Sequence, residues 1–251
     1  ILFISSSRAD YGLLRNVIFE TKKNKKIKVF ILVSGSHLST QFGNTVKEIE
    51  KDGLKKNIIK KKILKKNFFE NDISNYISET ISATSNVLDK IKPEKIVILG
   101  DRYELLGSAI ASMSHRIPIA HIHGGEVTTG AIDDSIRHSI SKLSHLHFPI
   151  HDEYKKRLIQ LGENPNTIFN YGGLGAYSIK KAKFKVVVDG VNSSGGVIIP
   201  KLLEALDVEV VKIHCTPNGD FPHNPEPLEE NLRDLCEAVV INKADFGIAV
   251  D

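Results

Sequence analysis

The feature that most constrains the fold is a repeated alternation between short apolar runs and longer segments with helical spacing. The spacing predicts strands at residues 1–6, 27–33, 96–99, 117–122, 146–150 and 167–171, with helical stretches between them, including one at 153–161. Apolar strands that alternate with helices are typical of a parallel sheet covered on both faces. The sequence therefore predicts an α/β fold, a Rossmann-like doubly wound parallel sheet followed by a second, smaller α/β segment.

The composition changes near Phe184. Five of the nine prolines and both cysteines follow this residue, whereas eight of the ten histidines precede it. The alternation then restarts, with strands predicted at 186–188, 209–214 and 246–250. A chain of 251 residues is long enough for two domains. We therefore expect a Rossmann-like N-terminal domain over residues 1–183 and a partial α/β domain over residues 184–251.

A formal net charge of +4 reflects in part the lysine-rich run from Lys55 to Lys66. This run could face a nucleic acid or an anionic membrane, or it could be a solvated strand and loop with Ile58, Ile59, Ile63 and Leu64 packed inward. No aromatic residue is interleaved for base stacking, so no nucleic-acid partner is expected. No apolar run reaches the length of a membrane span, so no membrane partner is expected.

Cysteine usage points to a reducing compartment. Cys215 and Cys236 form neither a disulfide framework nor a metal-ligand set. The sequence opens on a strand pattern, without the basic and apolar regions of a signal peptide. We therefore expect a cytoplasmic protein.

Carboxylates follow the apolar runs of the predicted sheet. Asp101 follows residues 96–99, Glu126 follows residues 117–122, and Asp133 and Asp134 open the next helical stretch. In an open α/β sheet, ligands bind at the carboxyl ends of the strands. Carboxylates gathered there suggest acid/base chemistry on a small polar substrate.

Each of these acids also has a purely structural explanation. Asp101 could cap the following helix, since Asp is a favoured N-cap residue. Glu126 could belong to a surface turn after two glycines. Asp133 and Asp134 could stabilise the positive end of a helix dipole.

Basic residues and histidines accompany the acids. Arg8, Arg102 and Arg137 could bind phosphate groups through their planar guanidinium forks, or could pair with neighbouring carboxylates. Seven of the ten histidines fall between His115 and His151, which raises the possibility of a metal site. Histidines at strand ends more often bond to backbone or substrate, so we expect no metal and place His121, His123 or both in the substrate pocket.

Five motifs in order resemble the hydrolysing UDP-N-acetylglucosamine 2-epimerases of sialic and legionaminic acid synthesis. They are SRADYGL at 7–13, LGDRYE at 99–104, HIHGGE at 121–126, IDDSIRH at 132–138 and LGE at 161–163. The resemblance covers about residues 1–182. It implies the N-terminal domain of a fold with two Rossmann-like domains and an active site in the cleft between them.

The resemblance also implies a reaction and a set of residues. UDP is eliminated across C1–C2 of the sugar, and water then adds to the glycal-like intermediate to give N-acetylmannosamine; a diacetamido sugar is the close variant. Catalytic roles fall on Asp101, Glu126 and Asp133, with Asp134 as the alternative to Asp133. The family implies no cofactor, a UDP-sugar substrate and a possible homodimer.

Residues 185–251 resemble the second domain of the phosphohexomutases instead. The matching stretches are VVDGVN at 187–192, NGDFPHNPEP at 218–227 and ADFGIAVD at 244–251. Asp251 matches the first carboxylate of that family's magnesium loop, so magnesium is expected only if the mutase segment were complete. We expect a chimeric or truncated reading frame, with a phosphosugar mutase fragment or a catalytically inert fragment as the alternatives to an epimerase.

Overall fold

The computed structural model describes residues 1–63 and 73–250. They form two compact units, which divide between Leu174 and Gly175. The predictions made for Leu64 and Asp251 lie outside the described residues. Within the described ranges, none of the helices combines the length and apolarity needed to cross a bilayer.

The first unit is built on a six-stranded sheet in the order β3-β2-β1-β4-β5-β6, and every strand pair is parallel. The strands are β1 Leu2–Ser5, β2 Phe30–Val33, β3 Ile58–Lys60, β4 Ile96–Leu99, β5 Ile119–Ile122 and β6 Leu146–Phe148. This is the order of a Rossmann-like doubly wound sheet, in which the winding reverses between β1 and β4. The predicted α/β fold class is confirmed.

The helices of the first unit cover the two faces of the sheet, and the first five lie between consecutive strands. They are α1 Arg8–Lys23, α2 Val46–Ile49, α3 Ile73–Ile91, α4 Tyr103–Ser114, α5 Ile132–Leu143 and α6 Asp152–Gln160, and α7 Leu174–Ala182 follows at the boundary of the units. The pairing of α3 with α4 depends on Gly107, because a Cβ there would lie 2.8 Å from the Ile77 carbonyl oxygen.

Alternate residues of β1 supply the two cores of the first unit. Phe3 packs with Leu14 of α1 on one face, whereas Leu2 packs with Leu88 of α3 and Leu105 of α4 on the other. All five are almost fully buried, and burial of such a side chain contributes about 1.5–3 kcal/mol. The period-2 side-chain alternation of a strand thus explains why an uninterrupted apolar run became a central strand.

The second unit contains a three-stranded parallel sheet in the order β8-β7-β9. Its strands are β7 Lys185–Asp189, β8 Glu209–Ile213 and β9 Phe246–Ala249, and its helices are α8 Gly195–Ala205 and α9 Arg233–Ile241. Val186 and Val188 form the centre of its core, against which Ile179 and Phe184 pack. Because Ile179 packs on that core, residues before the predicted boundary at 183/184 belong to the second unit, in agreement with the division between Leu174 and Gly175.

Two local predictions were wrong. Residues 167–171 do not form a strand: a single 3₁₀ turn covers Pro165–Thr167, and only an isolated bridge joins Ile168 to His147. Helix α7 was not predicted from the sequence.

In the lysine-rich run, β3 forms at the sheet edge with Ile58 and Ile59 half-buried, and Ile63 is buried, as the strand-and-loop interpretation expects.

Candidate active site

The acidic loops lie where the winding of the sheet reverses. The loop after β4 begins with Gly100, whose φ of +86° lets the chain turn out of the sheet, and continues to Asp101. The neighbouring β5 is in register with β4 and leads into the loop that carries Glu126. The parallel sheet therefore brings the two acids to the same edge.

Arg137 of α5 joins these two loops. Its guanidinium forms a close ion pair with the Asp101 carboxylate, lies 3.6 Å from Glu126 Oε2 and donates to Thr128 Oγ1 at 3.2 Å. The Arg137 side chain is only 8% exposed, against 20% for Asp101 and 19% for Glu126. Arg137 is therefore occupied by carboxylates, the second of the two roles that the sequence left open for it.

His123 extends this network. The structure ends β5 at Ile122 and places His123 beyond the strand, with a φ of +66°. Its Nδ1 lies 2.9 Å from Glu126 Oε1, and its Nε2 is buried without a hydrogen-bond partner among the described residues. An unpartnered polar atom is costly when buried, which makes Nε2 a candidate contact for substrate.

His121 is fully buried and hydrogen-bonded, so of the two histidines only His123 remains a candidate for the substrate pocket. It is fully buried, with Nε2 2.8 Å from the Gly100 carbonyl oxygen and Nδ1 3.1 Å from Ser141 Oγ. Burial lowers the pKa of His121 to about 3, so the ring is neutral. A neutral imidazole that donates from Nε2 and accepts at Nδ1 fixes the Asp101 loop against α5.

The structure distinguishes the paired acids of α5. Asp134 accepts a hydrogen bond from the Thr128 backbone at 3.0 Å and lies 3.6 Å from His138, so it holds the preceding loop. Asp133 instead lines a cavity of about 660 Å³. No hydrogen bond or ion pair among the described residues joins Asp133 to Asp101 or Glu126.

The same cavity is lined by the start of α4. Arg102 donates to Glu104 Oε1 at 2.8 Å, and the Glu104 side chain is 3% exposed with Oε2 lacking a hydrogen-bond partner among the described residues. Burial, and then the charge of Glu104, raises the pKa of Tyr103, which therefore stays a neutral phenol. Glu104 is a candidate site residue that was not predicted from the sequence, although it belongs to the LGDRYE motif.

Arg8 lies at the N-terminus of α1, as expected, but pairs with Glu48 at 3.0 Å and is 74% exposed. The same turn holds a buried acid that sequence reasoning did not select. Asp10 accepts from the Ser6 and Ser7 backbone amides at 3.0 and 2.9 Å, while Ser7 Oγ accepts from the Asp10 amide. This is a capping box, for which the spacing of Ser7 and Asp10 was the available signal.

The loop that carries Glu126 is fixed by close packing on α6. Gly125 has a φ of +81°, and a Cβ there would collide with the Tyr154 carbonyl oxygen. The Gly125 carbonyl in turn accepts a hydrogen bond from Arg157. The two glycines before Glu126 therefore reflect a required backbone approach rather than a loose surface turn.

No group of metal ligands forms among the described residues from His115 to His151. His147 illustrates why: it is buried, and its Nε2 lies 3.1 Å from Glu163, which also pairs with Lys142 at 2.6 Å. His147 therefore serves a structural pair with Glu163. Catalytic roles for Asp101, Glu126 and Asp133 remain predictions, as do substrate-binding roles for Arg8, Arg102, His123, Asp134 and Arg137.

The sequence matches the family described as UDP-N-acetylglucosamine 2-epimerase over residues 20–242. It is 47% identical over 184 residues to the GDP/UDP-N,N'-diacetylbacillosamine 2-epimerase (hydrolyzing) of Campylobacter jejuni, a match that covers 73% of this chain and 47% of that protein. The chain thus spans about half the length of the relative.

Part of the chain is also similar to phosphohexomutases. A phosphoglucomutase/phosphomannomutase of Thermococcus kodakarensis is 47% identical over 75 residues, which is 30% of this chain and 16% of that protein.

In fold, the chain is similar to the UDP-GlcNAc 2-epimerase of Neisseria meningitidis, solved bound to UDP-GlcNAc. The TM-score is 0.58 at 16% identity, and the match covers 100% of this chain and 72% of the other. Since the family match extends over most of the sequence, the chain belongs to the UDP-N-acetylglucosamine 2-epimerase family.

Proposed function

We propose that the first unit carries the acid/base loops of a hydrolysing 2-epimerase that acts on a UDP-linked N-acetylated sugar. The observation that carries the proposal is the convergence of Asp101 and Glu126 on Arg137 at the point where the winding of the sheet reverses. The relative from C. jejuni acts on a diacetamido sugar by name, which supports that variant beside UDP-N-acetylglucosamine.

The reaction needs a base, an acid and water, and it is redox-neutral. A base removes the C2 proton while the C1–O bond breaks and UDP departs with the bonding electrons. Water then supplies hydroxyl to C1, and an acid returns a proton to C2 from the opposite face. No electron acceptor is required, which supports an epimerase segment that works without a cofactor.

We assign the proton transfers to Asp101, Glu126 and Asp133. Arg137 acts as a positioning residue, because its guanidinium contacts both Asp101 and Glu126 and holds the two side chains next to each other. His123 offers Nε2 to the substrate while Nδ1 faces Glu126. Arg102 lines the cavity with a side chain that is 43% exposed, so it is better placed than Arg8 to bind a diphosphate.

The test is incubation of the chain with UDP-N-acetylglucosamine and with its UDP-diacetamido analogue in deuterium oxide. UDP release, product formation and deuterium at C2 are followed together. Asp101→Asn, Glu126→Gln and Asp133→Asn should each lower turnover by about 10²–10⁴-fold, the usual contribution of a proton-transfer group. Asp134→Asn is the matched control, because Asp134 bonds within its own loop.

Binding of the UDP-sugar is measured by calorimetry on the same samples. Binding without UDP release would favour a ligand-binding fragment, and turnover that is unchanged in Asp101→Asn would contradict the assignment. Absence of both binding and release would favour the inert fragment.

A second candidate rests on the similarity to phosphohexomutases. We propose that residues 185–251 derive from the second domain of such an enzyme, joined to the epimerase segment near Phe184. A single uninterrupted reading frame across Phe184 in the source gene would contradict a join introduced when the gene sequence was assembled. Interconversion of hexose 1-phosphate and hexose 6-phosphate by the chain would support the hypothesis of a phosphosugar mutase.

A further inference from the structure

Three metal-ligating side chains meet in the second unit, at the carboxyl edge of its small sheet. Asp189 is the last residue of β7, His214 directly follows β8, and His223 lies in the loop after β8. One ligand atom from each lies within 4.8 Å of the other two. Among the described residues this is the one group of three or more such side chains close enough to share an ion.

The separations match those of a coordination sphere. His214 Nδ1 lies 3.2 Å from Asp189 Oδ1, and His223 Nε2 lies 3.0 Å from Asp189 Oδ2. Zinc ligands bind at about 2.0–2.1 Å, so a tetrahedral site separates its ligand atoms by about 3.3–3.4 Å. The two distances run to different carboxylate oxygens of Asp189, so the carboxylate faces both imidazoles.

The outer nitrogen of His223 has the partner that a metal-bound imidazole uses, and an exposed carboxylate lies near the outer nitrogen of His214 without a hydrogen bond to it. His223 Nδ1 lies 2.9 Å from the Asn224 carbonyl oxygen, and His214 Nε2 lies 3.7 Å from Asp234 Oδ2. Ligating histidines donate their second N–H to a carboxylate or a backbone carbonyl, which fixes the tautomer. With Nδ1–H directed at the Asn224 carbonyl oxygen, His223 directs Nε2 at the Asp189 carboxylate, where either a second proton or a metal ion can lie between the two groups.

The backbone around the cluster is held in an uncommon conformation. Val191, Asn192 and His214 have φ values of +44°, +54° and +47°. A positive φ is unfavourable for a β-branched residue such as Val191, and such strain gathers at functional sites. The Val191 amide donates to Asp189 Oδ1 at 3.0 Å, and the Asp189 side chain is only 1% exposed. The strained turn therefore fixes the carboxylate toward the histidines.

We propose that Asp189, His214 and His223 bind one divalent transition-metal ion of the Zn²⁺ class. Two imidazoles and a carboxylate suit zinc and its neighbours, whereas magnesium prefers oxygen ligands alone. Three protein ligands leave a further position for water or an anion. The three ligands all belong to the second unit, and metal binding there would contradict the expectation from the sequence that the chain has no metal site.

The experiment uses the full chain, freed of metal with a chelator and titrated with ZnCl₂ by calorimetry. CoCl₂ is added in parallel, because cobalt bound at a low-coordinate histidine site gives intense visible absorption. The variants are His214→Gln and His223→Gln. His115→Gln is the matched control, because His115 also faces a carboxylate, Asp89 at 3.2 Å, but belongs to no group of three ligands.

We expect one Zn²⁺ per chain with a micromolar or tighter Kd, competition between Zn²⁺ and Co²⁺, and no competition from Mg²⁺. His214→Gln and His223→Gln should each weaken Zn²⁺ binding by at least ~100-fold, and His115→Gln should leave it unchanged. Asp234→Asn should weaken it by about 10–100-fold, the usual effect of an outer partner.

Two results would overturn the proposal. One is the absence of Zn²⁺ and Co²⁺ binding by the unaltered chain, which would mean that protons alone hold the three side chains together. The other is tight Zn²⁺ binding that survives both glutamine substitutions. Circular dichroism of each variant checks folding, and the result on the unaltered chain does not depend on any variant.

Discussion

Replacement of Arg137 by Met should destabilise the first unit far more than its position on a short helix suggests. The guanidinium is nearly buried and faces two carboxylates that are themselves about four-fifths buried. At the 3.6 Å that separates Arg137 from Glu126, the attraction is about 4–5 kcal/mol for an effective dielectric constant near 20. The cost of desolvating the three charges returns part of this energy.

The net effect follows from what remains after the substitution. Arg137→Met leaves two adjacent carboxylates without a counter-charge, and breaking a buried pair in this way costs about 3–5 kcal/mol. Because the carboxylates keep some contact with water, we expect the lower end, about 3 kcal/mol. That is roughly a hundredfold in the folding equilibrium.

The assay is urea unfolding, monitored through the hydrogen exchange of peptides from β5 and α5. These peptides report on the first unit alone. Arg8→Met is the matched control, because Arg8 also pairs with a glutamate at 3.0 Å but is 74% exposed; such pairs contribute at most about 1 kcal/mol. The double variant with Asp101→Asn should recover part of the loss. A cost no greater than that of Arg8→Met, or no coupling to Asp101, would refute the reasoning.

Three further outcomes are expected. Gly125→Ala should lower the free energy of unfolding by about 1–3 kcal/mol more than Gly130→Ala, because both glycines have a φ of +81° but only Gly125 has a backbone oxygen in the way; equal thermal shifts would contradict the packing argument. Burial lowers the pKa of His121 to about 3 in the folded state, so the unfolded state takes up the proton at a higher pH than the folded state does. The free energy of unfolding should therefore fall as the pH falls from about 6.5 toward 3, by up to ~1.4 kcal/mol per pH unit. The midpoint of urea unfolding should depend less steeply on pH in His121→Gln than in the unaltered chain. Asp134→Ala should cost about 1 kcal/mol and Asp133→Ala much less, because only Asp134 accepts a backbone hydrogen bond; the reverse order in thermal unfolding would exchange their assigned roles.

The sheet and the location of the acids could be predicted because both depend on periodicity. Uninterrupted apolar runs separated by helical stretches leave few topologies other than a parallel sheet, and the acids that follow β4 and β5 then meet at one edge. Predictions of single elements were weakest where neither the hydrophobic periodicity nor the length of a segment distinguished a strand from a loop. Residues 167–171 are apolar enough for a strand, yet the described chain offers them only one bridge.

Side-chain pairings could not be predicted because they depend on loop geometry and on contacts distant in sequence. The ion pair between Asp101 and Arg137 joins residues 36 apart, and the motifs placed both near the sheet edge without showing that one would hold the other. His123 was expected on a strand, but its positive φ turns it toward Glu126. The partners of Asp189 lie 25 and 34 residues away, a spacing that matches no local ligand motif.

The contacts that orient the acids have a consequence for function. Asp101, Glu126 and Arg137 are positioned by one another, by Thr128 and by the buried His121, so every contact described for them comes from the β4, β5 and α5 regions of the first unit. Within the described chain, the mutual arrangement of these three side chains is therefore set by contacts inside the first unit. If the chain binds a UDP-sugar only weakly, we infer that the deficit lies in substrate capture and not in the arrangement of the acids. Weak binding together with detectable C2 deuterium exchange at high substrate concentration would then be the expected result.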